Sequence, residues 1–171
     1  TPPGVGKQVV VVGAGNTAMD ALRVCVRLGA ASVRCVYRRS RAEAPARVEE
    51  LHHAEEEGVD FLWLTNPLEV LDDGDGWVAG LKCQKMRLGE PDASGRARPL
   101  PIPGSDFLMP VDNVILAIGT TPNPLLTRTD TGLATTSRGC LVADERTGRT
   151  TRPEIYAGGD AVTGAATVIL A

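Results

Sequence analysis

The sequence lacks long apolar runs, closely paired cysteines and an excess of basic charge. No apolar run is long enough to span a bilayer, so we expect no membrane partner. The four cysteines stand singly with no C-x-x-C spacing, which argues against a zinc site and against a dithiol redox centre. A formal net charge of −3 argues against nucleic acid as the main partner. With 43% hydrophobic residues in a chain of 171, the composition predicts a soluble α/β protein of the reducing cytoplasm.

A glycine turn stands between an apolar run and a helix-forming segment. The β-branched run Val9–Val12 leads directly into the sequence GAGNTA at 13–18. Gly13 allows a tight turn, Gly15 lets the backbone approach a diphosphate, and small Ala18 permits close helix packing, while unpaired N–H groups at the helix start would face the anion. The pattern predicts a dinucleotide site, and the alternative is a strand-to-helix turn with no ligand. The predicted cofactor-binding residues here are Gly13, Gly15, Asn16, Thr17, Ala18 and Asp20.

An acidic residue is missing where an NAD-binding turn of this kind uses one. Such a site places a carboxylate about 20 positions beyond the first glycine, where it accepts hydrogen bonds from the ribose 2′-hydroxyl. Here no Asp or Glu occurs between Asp20 and Glu43, and the predicted second strand runs into Arg38, Arg39 and Arg41. Guanidinium groups bind a 2′-phosphate that a carboxylate would repel. The sequence therefore predicts NADP(H). The alternatives are a solvated basic turn and a nucleic-acid patch, the latter disfavoured because the cluster is short and has no interleaved aromatics.

A helix is predicted after the arginines. Val48, Leu51 and Ala54 recur at intervals of three, which indicates a helix of roughly twelve residues, and Gly58 is typical of a helix end. Charged residues share its other side, but no second cluster completes a metal shell, so we predict a solvated face and no metal site. The residues of that charged face are Glu49, His53 and Glu56.

The rest of the first 118 residues predicts further strands. Residues 60–64 indicate a third parallel strand, and 68–71 with 77–86 indicate a hairpin. The Pro- and Gly-rich stretch at 88–109 is either a loop or a loop carrying one more strand. Residues 112–118 predict a fourth core strand, closed by Gly119.

Five segments carry a family resemblance: GAGNTAMD (13–20), VYRRSR (36–41), LGEPDASGR (88–96), VILAIGTTPNP (114–124) and IYAGGDAVTGAATVILA (155–171). Together they resemble the small, flavin-containing subunit of NADPH-dependent glutamate synthase and its relatives, along essentially the whole chain. The resemblance implies an α/β, Rossmann-like three-layer fold with a parallel sheet and an antiparallel β-meander crossover. It also implies an NADPH-binding domain over 1–118 and a partial C-terminal portion of an FAD-binding domain over 119–171.

The resemblance assigns further residues to a flavin site. Gly119 would begin the crossing into the FAD domain, Gly159 and Asp160 would be the flavin-binding pair, and the helix carrying Ala166 and Thr167 would point its N-terminus at the flavin. The family's first FAD fingerprint and its cysteine-rich iron–sulfur segment are not in this sequence. Because the chain also lacks an initiator Met and ends inside an expected helix, we expect a piece of a longer polypeptide.

The implied reaction is hydride transfer from NADPH to FAD. In the longer protein, electrons would continue through iron–sulfur clusters to the large subunit of glutamate synthase or to another electron-accepting subunit. The cofactors carry this chemistry, so no catalytic acid or base is predicted, and Asp20 either orients the nicotinamide end or is solvated.

Two alternatives to glutamate synthase remain open. One is another flavoprotein of the same two-domain plan, of the sulfide dehydrogenase or dihydropyrimidine dehydrogenase type; a thioredoxin reductase is disfavoured by the absent C-x-x-C. The other is a non-catalytic NADP(H)-sensing module.

Overall fold

The structure is a computed structural model that describes residues 5–91 and 95–164, in two compact units, Thr1–Ile118 and Gly119–Ala171. In the first unit the elements are β1 (Gln8–Val12), α1 (Asn16–Arg27), β2 (Ser32–Val36), α2 (Val48–Glu56), β3 (Asp60–Leu62), β4 (Thr65–Asp72), β5 (Val78–Pro91), β6 (Ala97–Pro110) and β7 (Asn113–Leu116). In the second unit they are α3 (Leu125–Thr129) and α4 (Asp160–Thr163).

Four parallel strands form the centre of the first unit, in the order β3, β2, β1, β7. Val9 lies opposite Val33 of β2 on one side and Asn113 of β7 on the other, so β1 is an interior strand. Parallel strands that are covered on both faces read as continuous apolar runs. The valine run of β1 has that pattern.

Alternate valines of β1 face two separate cores. Val9 and Val11 pack in one core with residues of α1 and α2, including the fully buried Leu22. Val10 and Val12 pack in the other core with Leu81, Cys83 and Met109 of β5 and β6. The parallel sheet therefore has helices on one face and β-strands on the other, which makes three layers. This arrangement confirms the predicted fold class.

The layer opposite the helices is an antiparallel meander in the order β4, β5, β6. The Pro- and Gly-rich stretch becomes the long strand β6, paired with β5, so it is strand rather than loop for most of its length. β6 is an edge strand of this sheet, and prolines, which cannot donate a ladder hydrogen bond, are tolerated at sheet edges and bulges. The predicted hairpin coincides with β4 and β5, but both strands are longer than predicted.

α2 is shorter than predicted and begins at Val48. Of the three apolar positions that indicated this helix, Leu51 and Ala54 are buried and Val48 is 70% exposed. Val48 is the first helical residue and lies where the preceding loop leaves the core. Arg23 of α1 bonds Glu50 and Glu57 at 2.8 and 2.9 Å, which ties the two helices together.

The second unit contains little buried apolar surface among its described residues. Within 119–164, only Leu133 and Cys140 are buried hydrophobic residues. One isolated β-bridge joins Tyr156 to Arg149. In the ranges that the structure describes, no helix is long and apolar enough to cross a membrane.

Candidate functional site

The glycine turn after β1 requires glycine at its first position for internal reasons. Gly13 has φ 125°, and a Cβ there would lie 2.2 Å from the carbonyl oxygen of Ala117. Its amide donates to the carbonyl of Val36 at the end of β2, at 3.0 Å. The turn is therefore wedged between the ends of β2 and β7, and any side chain at Gly13 would clash with backbone.

Gly15 has no such internal constraint. Its φ of −90° is open to any residue, and the nearest atom to an added Cβ is Pro45 Cγ at 3.9 Å. A Cβ at Gly15 would therefore project into space that the described residues leave open. That space lies at the start of α1, where the dinucleotide pattern places a diphosphate.

The first turn of α1 offers unpaired amides. Met19 is the first helical residue whose amide bonds back, to the carbonyl of Gly15 at 3.1 Å. No acceptor for the amides of Asn16, Thr17 or Ala18 occurs within 5–91 or 95–164. The first turn also contains no acidic residue, so the positive end of the helix dipole is not neutralised there. This is the arrangement that binds anions at helix N-termini.

The remaining predicted residues of the glycine turn are either buried in the core or exposed to solvent. Ala18 is fully buried between the helix and the sheet, which fits its predicted packing role. Asn16 and Thr17 are exposed, and the Asn16 side chain accepts a hydrogen bond from the amide of Arg47 at 3.0 Å. Asp20 is exposed in the second turn of α1.

The three predicted arginines occupy different environments. Arg38 is exposed, two residues beyond Val36, whose carbonyl holds the glycine turn, and its side chain has no partner in the described part of the chain. Arg39 is 6% exposed, and its Nε donates to the carbonyl of Ala97 in β6 at 2.9 Å. Arg41 makes a two-pronged ion pair with Glu55 of α2, with Nη2 and Oε2 3.1 Å apart. Arg38 is thus the arginine most available to an anion.

The loop that leads into α2 also lies against the glycine turn, which the sequence did not indicate. The amide of Ala46 donates to the carbonyl of Ala14 at 3.0 Å, next to the bond from Arg47 to Asn16. These two bonds place the backbone of Arg47 beside the first turn of α1, with its side chain exposed. No local pattern marks Arg47, because its position depends on contacts to residues about 30 positions earlier.

A cavity of about 640 Å³ lies beside the loop that carries Ser40 and Arg41. Trp63 forms part of its wall, stacks on Phe61 with ring centroids 4.9 Å apart, and meets Tyr37 edge-on at 6.1 Å. The Tyr37 hydroxyl donates to the carbonyl of Glu43 at 3.0 Å, which fixes the short 3₁₀ turn at Arg41–Glu43. The cavity is lined by Ser40, Arg41, Ala42, Ala44, Ala46, Val48, Leu51 and Trp63.

The predicted flavin-site residues lie in the second unit. Gly119 has φ 87° with no atom within 4 Å of an added Cβ, and Gly159 has φ 57° immediately before α4. Asp160 is exposed at the first position of that four-residue helix. Ala166 and Thr167 lie outside the described residues.

Thiols and metal ligands do not form a further centre in the ranges described. No group of three or more His, Cys, Asp or Glu residues there could hold a metal ion. Cys25, Cys35, Cys83 and Cys140 are all buried and unpaired. Burial raises the pKa of Cys35 to about 12 and that of Cys83 to about 11, so neither is a ready nucleophile at neutral pH.

The family model for pyridine nucleotide-disulphide oxidoreductases matches residues 1–171. The chain belongs to this family. A putative glutamate synthase [NADPH] small chain of Cereibacter sphaeroides is 48% identical over 167 residues, covering 97% of this chain and 40% of that protein. The NADP(+)-dependent formate dehydrogenase subunit beta of Moorella thermoacetica is 46% identical over 164 residues, covering 96% of this chain and 23% of that protein. The predicted resemblance and the oxidoreductase class are both confirmed.

Among solved structures, Mycobacterium tuberculosis FprA in complex with NADPH superimposes with a TM-score of 0.72 at 20% identity. The match covers 97% of this chain and 49% of that one. At this identity the likeness concerns the fold. Across these matches, the chain spans less than half the length of each protein.

Proposed function

We propose that residues 1–118 form the NADPH-binding domain of a flavoprotein oxidoreductase. The observation that carries the proposal is the pairing of an open space at Gly15 with unpaired amides at the start of α1. A diphosphate fits that space because it supplies the acceptors that the amides lack. Arg38, at the neighbouring strand end, supplies the charge that suits a 2′-phosphate.

Each residue of the site has a separate task in this proposal. The amides of Asn16, Thr17 and Ala18 hold the diphosphate, and Gly15 keeps the approach clear. Arg38 selects the phosphorylated ribose. When bound, NADPH supplies a hydride to an acceptor, while the residues of this chain bind and orient it.

A calorimetric titration of the chain with NADPH and with NADH tests the cofactor assignment. We expect NADPH to bind at least about 10-fold more tightly, because one charge-assisted hydrogen bond is worth about 1.5 to 3 kcal/mol. Equal affinities for the two nucleotides would contradict the assignment.

The described part of the second unit does not by itself fit FAD. α4 has four residues, and only Leu133 and Cys140 are buried in 119–164, which is too little to wall a flavin ring. We propose that Gly119, Gly159, Asp160, Ala166 and Thr167 contribute part of a flavin site that other segments of a longer protein complete. The chain alone should then purify colourless and should not reduce an artificial dye with NADPH. A flavin absorption band would argue against a divided site.

For the longer protein, we propose the role of a glutamate synthase small subunit in the cytoplasm. It would pass hydride from NADPH to FAD and electrons through iron–sulfur clusters to a large subunit that forms glutamate from glutamine and 2-oxoglutarate. The 48% identity to a putative small chain supports this role. Glutamine- and 2-oxoglutarate-dependent NADPH oxidation by the longer protein with its partner subunit tests it.

The formate dehydrogenase beta subunit favours a second candidate for the electron partner. Its identity of 46% is nearly as high, over the same part of the chain. In this second proposal the nucleotide domain is the same and the partner subunit differs. Formate-dependent reduction of NADP⁺ by the longer protein with its partner subunit, with no response to glutamine, would support this second proposal over the glutamate synthase role.

A further inference from the structure

Arg41 lies three residues beyond Arg38 of the proposed 2′-phosphate site and forms an ion pair with Glu55 of α2. Both Nη atoms of Arg41 contact the two carboxylate oxygens of Glu55, with the second pair of atoms 3.1 Å apart. The two side chains remain 46% and 33% exposed, so solvent and ligands can reach them. Arg41 also lines the cavity beside the loop.

The pair is held in place from both ends. Ser40 caps the 3₁₀ turn that begins at Arg41, accepting from the amide of Ala42 at 3.2 Å, while Glu43 accepts from the amide and hydroxyl of Ser40 at 3.0 and 2.6 Å. Glu55 is fixed on the third turn of α2, whose neighbouring residues Leu51 and Ala54 are buried. The backbones of Arg41 and Glu55 are therefore fixed by contacts that do not depend on the ion pair.

We infer that Glu55 is a specificity-determining residue that restrains the preference for NADPH over NADH. A carboxylate and a phosphate compete for the same face of a guanidinium, because both bind it through two parallel N–H bonds. Glu55 occupies that face of Arg41. NADH lacks the phosphate and is indifferent to this competition. The inference rests on the proposed NADPH function.

The test compares Glu55→Gln with Glu56→Gln in the full 171-residue chain. Both variants remove one negative charge from neighbouring positions of α2, but Glu56 contacts His52 and not Arg41. We expect Glu55→Gln to tighten NADPH binding by about 2- to 5-fold, the range for a half-exposed ion pair, and to leave NADH unchanged. Glu56→Gln should change neither by a comparable factor. Glu55→Ala, which suits a helix, repeats the test if the Gln variant folds poorly.

A double variant isolates the contact between the two side chains. In an Arg41→Ala background, Glu55→Gln should gain much less NADPH affinity than in the wild type, because the guanidinium for which carboxylate and phosphate compete is gone. Three results would overturn the inference: no difference between the two Gln variants, weaker NADPH binding in Glu55→Gln, or an equal gain with and without Arg41. If the wild type prefers NADPH in these cases, the proposed function stands. Equal NADPH and NADH affinity in the wild type would overturn both.

Discussion

The thiol of Cys35 donates a hydrogen bond to the carbonyl of Gly13, with Sγ and oxygen 3.2 Å apart. The next residue, Val36, accepts a bond from the Gly13 amide at 3.0 Å. Two consecutive residues of β2 thus hold both polar groups of the first turn glycine. Cys35 is 1% exposed, and burial raises the pKa of its thiol from the ordinary value of 9.0 to about 12.

This raised pKa predicts a loss of stability in alkaline solution. The unfolded thiol ionises near pH 9 and the native thiol only near pH 12, so the stability contributed is intact below pH 9 and declines as the pH rises toward 12. Between pH 8 and pH 10 the decline from one such thiol is about 1.4 kcal/mol. Urea unfolding at these two pH values, under reducing conditions, measures it. Cys35→Ala should lose less stability over the same interval, and an equal loss in the variant would contradict the assignment.

The two glycines of the turn should respond differently to substitution. Gly13→Ala places a Cβ 2.2 Å from a backbone oxygen at a φ of 125°, so we expect a loss of at least about 2 kcal/mol in unfolding free energy. At Gly15 an added Cβ meets only Pro45 Cγ, at 3.9 Å, so we expect Gly15→Val to keep a melting temperature near that of the wild type, yet to abolish NADPH binding. Thermal unfolding and calorimetric titration of both variants provide the measurements. NADPH binding of wild-type strength in Gly15→Val would place the nucleotide elsewhere.

Arg38 should dominate the choice between NADPH and NADH. Arg38→Ala removes an exposed guanidinium beside the turn, and we expect NADPH affinity to fall about 10-fold or more while NADH affinity stays the same. Arg87→Ala, an exposed arginine of β5, is a control for the loss of charge. A similar fall in both variants would show that only net charge matters.

Arg39 is a poorer test of the phosphate site than Arg38. Arg39→Ala breaks the bond to the Ala97 carbonyl and removes a buried side chain, so we expect lower stability as well as any effect on binding. Urea unfolding of Arg38→Ala and Arg39→Ala separates the two. Comparable stabilities would contradict the structural role of Arg39.

Hydrogen exchange should distinguish the two units. Residues 119–164 contain two buried hydrophobic side chains, whereas the strands β1, β2 and β7 share two apolar cores. Low burial permits local opening, so amides of the second unit should exchange faster than those of β1 and β2. Exchange followed by mass spectrometry gives the comparison peptide by peptide. Equal protection across both units would mean that the second unit is stabilised by contacts beyond its own core.

Local patterns predicted the part of the site that local physics determines. Strand propensity accounts for the valine run of β1. The lack of a glycine side chain accounts for the turn at 13–18 and for the start of α1. All four predicted parallel strands are present, and their boundaries differ from the prediction by at most two residues. The third strand, for example, ends at Leu62 rather than Leu64.

Long-range contacts account for what the sequence did not reveal. Three neighbouring arginines looked equivalent, but the Ala97 carbonyl, 58 positions away, engages Arg39, and Glu55 engages Arg41. The approach of Arg47 to Asn16 likewise depends on how α2 packs against α1. The local pattern of charges does not indicate which distant group each arginine contacts.

Both faces of the parallel sheet in the first unit are covered by elements that this unit itself supplies. The helices cover one face and the meander covers the other, so its two cores are completed by residues between Val5 and Ala117. A segment built this way requires no apolar surface of a surrounding polypeptide to complete its cores. Recombination could then move it between enzymes of different length, and natural selection would need to adjust only its exterior.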